Sequence, residues 1–237
     1  GTLEVRCGQR AAEFSVSSHE DYPECGTVED GTSLRVNAAA LFRRIERVRY
    51  AAEKGCLDRR PQSACVQFRE DRIFSLDGRR MACENEVTVQ IGAHKVCFSD
   101  ETLKLYVRRY GVDTYDPDAA IPKAYREVIT VQTDELLREL TYLKECVGSC
   151  TFPYVRFAGK ELSMNVPTGR FATRVSMVGR GDLAIGFNLR YMIDALRQFR
   201  KEPMVRLKLS GPYTPIVVEA EGRSDFALVL PVRLRDE

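Results

Sequence analysis

The chain has 237 residues, with 36 Lys plus Arg against 34 Asp plus Glu and a formal charge of +2 at pH 7. That balance argues against a protein that grips nucleic acid by bulk charge, yet a basic face can still lie opposite an acidic one. At 44% hydrophobic and 30% charged residues, the composition excludes a disordered or membrane-embedded chain. No apolar run reaches the about 18 residues of a spanning helix, and no signal-peptide apolar region opens the sequence.

Eight cysteines without a C-x-x-C pair read as reduced thiols of a cytosolic protein. Cys146-x3-Cys150 is a weak metal or redox signal, and no metal site or cofactor is expected. Gly1 reads as a scar of tag removal.

In chain order, residues 3–6 and 12–16 predict a β-hairpin. Residues 34–36 predict a strand entering an amphipathic helix, with Asn37 as N-cap and Leu41, Phe42, Ile45 and Val48 on one stripe. Strands follow at 66–68, 72–76 and 87–91. Residues 99–111 fit a helix through Leu103, Tyr106, Val107 and Tyr110, or a strand through Leu103, Leu105 and Val107. Residues 129–131 form another strand entering a helix over 133–147, with Thr133 or Asp134 as N-cap. Strands at 155–157 and 161–165 come next. A second helix begins at Asn188, with Leu189, Met192, Ile193, Leu196 and Phe199 on one stripe. Residues 205–209 and 225–233 supply the last strands.

The order repeats. Leu34, Val36, Leu41, Phe42 and Ile45 each lie 95 residues before Ile129, Val131, Leu136, Leu137 and Leu140. Asp100, Leu103, Leu105, Val107 and Arg108 lie 125 before Asp225, Leu228, Leu230, Val232 and Arg233. Self-similarity at a fixed offset marks a repeated architecture, and it favours the strand for 99–111. The second helix has no counterpart in the first copy, where residues 81–83 run almost directly into 86–87.

Three motifs carry a family resemblance: Leu76-Asp77-Gly78-Arg79-Arg80-Met81-Ala82, Ala184-Ile-Gly-Phe-Asn188-Leu-Arg-Tyr191-Met-Ile-Asp194, and Leu230-Pro231-Val232-Arg233-Leu234. In their order and spacing they resemble the bacterial DNA sliding clamp, the β subunit of DNA polymerase III, from about residue 34 to 234. Arg60-Pro61, Pro122 and Pro215-Ile-Val-Val218 fit the same register. The resemblance implies an α+β DNA-clamp fold of repeated strand–helix–strands units, helices on the inner face and antiparallel sheets outside. It divides the chain into the closing hairpin of an otherwise absent first domain (1–18), a linker (19–32), an abbreviated middle domain (33–111), a linker (112–127) and a C-terminal domain (128–237).

The function so implied is not enzymatic. A ring encircles duplex DNA without base-specific contacts and tethers a polymerase at high effective concentration. The DNA-facing residues would be Arg43, Arg44, Arg47, Arg190, Arg197, Arg200 and Lys201, although arginines on a polar helix face also serve plain solvation. A peptide pocket between the middle and last domains would comprise Arg60, Leu76, Gly78, Arg79, Arg80, Met81, Pro122, Val128, Tyr191, Pro215, Leu228, Leu230, Pro231, Val232, Arg233 and Leu234. By pattern alone, Leu228, Leu230 and Val232 read instead as ordinary core positions of a strand; the resemblance is what assigns them to the pocket. Implied partners are duplex DNA, the catalytic subunit of DNA polymerase III, the clamp loader and repair proteins, with a homodimeric ring, no membrane, and a cytoplasmic, nucleoid-associated location. The alternative is a clamp-derived module that binds partner peptides without encircling DNA. Asp113, Asp116 and Asp118 could form a cation site, but Pro117 and Ala119 fit a linker better, and no enzyme motif is present.

Overall fold

Residues 1–16, 38–53, 60, 62–69, 72–85, 94–97, 106–109, 115–148 and 152–234 are described by a computed structural model, 94–97 and 106–109 through their backbone alone. The N-terminal hairpin forms as its alternation dictates. β1 (Thr2–Cys7) pairs antiparallel with β2 (Arg10–Ser15), and Leu3 opposite Phe14 with Val5 opposite Ala12 gathers the apolar side chains on one face. This hairpin belongs to one compact unit, Gly1–Leu34; the second unit is Arg35–Glu237.

In the second unit, α1 (Ala38–Val48) buries Leu41, Ile45 and Val48 as the 3.6-residue period requires. Phe42 leaves the stripe and is 42% exposed. A meander follows: β3 (Gln67–Arg69), β4 (Arg72–Leu76) and β5 (Arg80–Glu84). At the β4–β5 turn, Asp77 accepts from the N–H groups of Arg79 and Arg80, and Gly78 takes a φ of 78° that other residues resist. β6 (His94–Cys97) pairs with β7 (Tyr106–Arg109), so Tyr106 and Val107 are in a strand as the repeat predicts. Asn37, residues 34–36, residues 87–91, Leu103 and Leu105 lie outside the described residues.

β8 (Glu127–Gln132) runs directly into α2 (Thr133–Val147). The cap differs from the expected one. Thr133 is itself helical, Gln132 occupies the cap position without a side-chain bond, and the Thr133 N–H is taken by the carbonyl of Pro203. Cross-strand pairing fixes this terminus, while Asp134 and Glu135 oppose the positive end of the helix dipole. β9 (Tyr154–Ala158), β10 (Glu161–Val166), β11 (Gly169–Arg174), β12 (Met177–Val178) and β13 (Ile185–Asn188) precede α3 (Leu189–Arg197). Asn188 caps α3 by accepting from the N–H groups of Arg190 and Tyr191. β14 (Met204–Leu209), β15 (Ile216–Glu219), β16 (Phe226–Val229) and β17 (Pro231–Val232) complete the chain.

The strands form a five-stranded sheet, β11-β10-β9-β13-β17, and an eight-stranded sheet, β12-β8-β14-β15-β16-β5-β4-β3. The longer sheet passes from one repeat into the other through β16 and β5, where Ala227 faces Ala82 and Leu228 faces Met81. Period-2 alternation then sorts its two faces. Ile73 and Ala82 pack with α1, and Ala227 and Val229 pack in the core that holds α2 and α3. Since Ala82 and Ala227 are direct partners, all three helices cover the same face of this sheet. The opposite face carries Phe74, Met81, Cys83, Val217 and Leu228, which Tyr115, Ile121 and Tyr125 of the connecting segment cover. No helix among the described residues is long and apolar enough to cross a membrane.

Candidate functional site

The expected peptide pocket centres on the β5–β16 seam. Met81 and Leu228 are only 3% exposed and meet as cross-strand partners, so they are packed floor and not ligand-facing surface. Leu76, opposite Met81 on β4, edges that cluster and is half-buried. Pro122 is half-buried in the covering segment, Pro215 is half-buried before β15, and Val128 on β8 is exposed. The covering segment is held down by the Arg72–Asp118 ion pair and by Lys208 stacked 5.1 Å from the Tyr125 ring centre. Asp116 accepts from the Asp118 N–H and so caps a short 3₁₀ turn, Pro117–Ala119; Asp113 lies outside the described residues. Arg60 is exposed before β3, and none of the hydrogen bonds or ion pairs among the described residues joins it to the seam.

Arg80 is the hub of the seam. Its Nε donates to Asp77 at 3.1 Å and its Nη1 to Asp194 of α3 at 2.7 Å. Its guanidinium also lies 4.6 Å from the ring centre of Tyr191 and 5.7 Å from that of Tyr50. With the side chain 14% exposed, Arg80 is committed to joining the two repeats, and its donors point at its own carboxylates. The Tyr50 hydroxyl donates to Gln198, which donates in turn to Asp225, and burial raises the phenol pKa. Arg79 is the exposed member: its Nη1 donates to the Tyr191 hydroxyl at 3.2 Å and its carbonyl accepts from the Leu230 N–H at 2.9 Å. Gly78 and Arg79 therefore form a rim, with Leu230, 39% exposed, beside it.

The C-terminal motif continues from Leu230 as an added strand. Pro231 and Val232 pair with Phe187 and Gly186. A Cβ on Gly186 would sit 2.6 Å from the Val232 carbonyl oxygen and 2.8 Å from Leu234, so only glycine admits this strand. Arg233 is exposed and lies over Tyr213 at 5.6 Å. The structure thus places Leu76, Met81 and Leu228 in the packed cluster on the face away from the helices, Gly78, Arg79, Tyr191 and Leu230 at the exposed rim of the seam, Arg80 at its hub, and Pro231 and Val232, followed by Arg233 and Leu234, as an adjoining strand. Sequence reasoning missed Tyr50, Asp77, Asp194 and Gln198. Asp194 offered a signal, three residues beyond Tyr191 on a predicted helix and hence on the same side.

On the helix face, Arg43, Arg47, Arg190, Arg197, Arg200 and Lys201 are exposed and Arg44 is half-buried. Arg44 and Arg47 share one carboxylate oxygen of Glu84, at 3.2 and 3.0 Å. Glu84 is buried, its other oxygen has no hydrogen-bond partner among the described residues, and burial outweighs both arginines in raising its pKa. Arg197 pairs with Asp194 at 3.4 Å. The groove between α2 and α3 is lined by Arg138, Arg197 and Arg200 but also by Asp134 and Glu145. The face is therefore mixed in sign and mildly basic along α1 and α3.

Comparison with solved structures decides the fold. The chain superposes on the DNA polymerase III β subunit of Thermotoga maritima with a TM-score of 0.80, at 17% identity, over 99% of this chain and 74% of that one. The sliding clamp of Bacillus subtilis gives a TM-score of 0.76 at 18% identity, over 99% and 73%. The β subunit from Streptococcus pyogenes gives 0.76 at 16%, over 98% and 74%. This is the bacterial sliding-clamp fold. Residues 161–233 also match the family model of the DNA polymerase III beta subunit, C-terminal domain. That match spans β10 to β17 and so contains α3 and the clamp-like C-terminal strand. A search of curated proteins found no match. The eight-stranded sheet runs through both repeats, and the three helices cover one of its faces.

Proposed function

We propose that this chain is a sliding clamp, a non-enzymatic processivity factor that encircles duplex DNA and tethers the replicative polymerase, the clamp loader and repair proteins through linear peptides. The observation that carries the reading is the common placement of α1, α2 and α3 on one face of a sheet that runs unbroken through both repeats. That arrangement suits a curved wall with a helical lining, and the exposed arginines of α1 and α3 would meet phosphates without reading bases. A near-neutral total with a mildly basic lining suits sliding better than tight gripping. The test is topological. Protein assembled on nicked circular duplex should stay bound during gel filtration and be lost at least about tenfold on linearisation, because a ring slides off free ends. Equal retention on both forms sinks the ring.

The tethering site we propose is a groove along Gly78, Arg79, Tyr191 and Leu230 that continues into the Pro231–Val232 strand, to which the family resemblance adds Pro122, Val128 and Pro215. A peptide with a Gln-Leu-x-Leu-Phe-like core should bind there. Leu230→Asp should weaken it at least about tenfold while leaving the fold intact, since Leu230 lies on the surface. Absent binding, or equal binding to both proteins, overturns this site.

A second reading, a peptide-binding module that never encircles DNA, draws on the capture of Arg44 and Arg47 by Glu84, which withdraws two cations from the lining. Molar mass by light scattering separates the two: a ring needs an assembly, whereas a module stays monomeric.

A further inference from the structure

The five-stranded sheet has a second face that the clamp reading does not use. Val155, Phe157, Leu162, Ile185 and Phe187 point into the helix-covered core, so Tyr154, Arg156, Ser163 and Gly186 point the other way. There they form the base of a cleft of about 730 Å³, walled by Tyr213 of the β14–β15 turn and by Leu234. Gly186, beside Arg156 across the ladder, lets Leu234 pack close to the sheet and so form the wall of the cleft.

Its charge is one-sided. Arg156 lies on a central strand between Ser163 and Gly186, neither of them charged, and it has no ion-pair partner among the described residues. Arg170, across the cleft, is held by Glu161 at 2.7 Å, and no Asp or Glu lines the cleft. Two aromatic rings flank the cations: Tyr154 is 38% exposed and Tyr213 is 69% exposed, the latter with Arg233 stacked 5.6 Å from its centre. An unpaired guanidinium beside exposed rings is matched by a carboxylate adjoining an apolar or aromatic side chain. A nucleic acid fits less well, since it presents a row of phosphates, whereas of the two arginines lining the cleft Arg170 is already paired with Glu161 and only Arg156 lacks an ion pair among the described residues.

We propose that this outer cleft binds a short acidic peptide segment of a partner protein, one carboxylate meeting Arg156 and a neighbouring apolar or aromatic side chain lying between Tyr154 and Tyr213. The site shares Leu234 with the strand adjoining the Leu230 groove but is otherwise built from other residues, and it does not depend on ring formation.

The test uses the full chain and a fluorescein-labelled peptide of about eight residues, Asp- and Glu-rich around a Leu-Phe pair, beside the same peptide with Asn and Gln. The acidic peptide should bind at least about tenfold tighter at low salt, as expected for a charge-assisted bidentate contact. Arg156→Glu should remove that preference, Arg156→Lys should retain part of it, and Tyr213→Ala should weaken both peptides about threefold or more. Circular dichroism establishes that each variant is folded, and Arg156 and Tyr213 act as independent probes should one of them unfold. Equal binding of both peptides, or an Arg156→Glu protein indistinguishable from wild type, overturns the proposal. So does displacement by an unlabelled Gln-Leu-x-Leu-Phe-type peptide, which would place the ligand in the Leu230 groove. Tighter binding of a single-stranded oligonucleotide at the same residues would assign the cleft to nucleic acid instead. Binding seen only after removal of residues 235–237 would make the chain's own terminus the occupant.

Discussion

Glu84 shows how one buried carboxylate can set the character of a surface. It draws Arg44 and Arg47 inward, and burial holds its pKa above the ordinary 4.5. The folded chain therefore binds this proton more tightly than the unfolded chain does. Its stabilising share is complete below about pH 4.5 and is lost as pH rises through the folded-state value. Urea unfolding of wild type and Glu84→Gln between pH 4 and pH 7 should show the wild type losing ground as pH rises, by at most about 1.4 kcal/mol per pH unit. A pH-independent difference between the two proteins contradicts this. Arg80 poses the converse case, a cation enclosed by Asp77, Asp194 and two tyrosine rings. Truncation leaves two partly buried carboxylates without their partner, so Arg80→Ala should cost about 2–4 kcal/mol in chemical denaturation. A cost below about 0.5 kcal/mol would return Arg80 to the role of a free peptide donor.

At the scale of elements, the seam separates residues that the sequence pattern groups together. Leu228 and Leu230 both fit one alternating strand, yet Leu228 is packed against Met81 while Leu230 stands exposed where β16 has ended. Met81→Ala and Leu228→Ala should each destabilise by about 2–4 kcal/mol through reduced burial and cavity formation, whereas Leu230→Ala should stay within about 1 kcal/mol. Thermal and urea unfolding of the three variants tests this ordering directly. The short strand β17 depends on Gly186, because any Cβ there collides with the Val232 carbonyl. Gly186→Ala should detach residues 231–234 and expose them to carboxypeptidase while the core of β14, β15 and β16 stays protected. Equal digestion of wild type and variant would show that the strand is held elsewhere.

For the whole molecule, the mixed lining predicts modest, salt-sensitive DNA binding. Replacing Arg197, Arg200 and Lys201 together by Ala should reduce the slope of log affinity against log salt by up to about three, since each of these cations that neutralises a phosphate contributes about one. An unchanged slope would remove α3 from the DNA face.

Much of this architecture was legible in the sequence. The 95-residue offset located α1 and the β8–α2 unit, helical periodicity placed α2 at its observed bounds, and Asn188 announced the start of α3. Those features are local, and hydrogen bonds and side-chain spacing within a few residues decide them. Strands β11, β12 and β13 were missed because they are short or glycine-flanked, and cross-strand partners far away in sequence define them, while the one strand expected over 225–233 is divided at Leu230 into β16 and β17. What the sequence determined by itself was the repeat, the apolar faces and the motifs that resemble a sliding clamp. The tertiary structure alone decided which of the motif residues are floor, rim or hub. Burying Met81, pairing Arg80 with Asp194 and taking Arg44 and Arg47 to Glu84 all depend on interactions between segments 37 to 147 residues apart. No local pattern encodes such interactions; they follow from the eight-stranded sheet closing over both repeats.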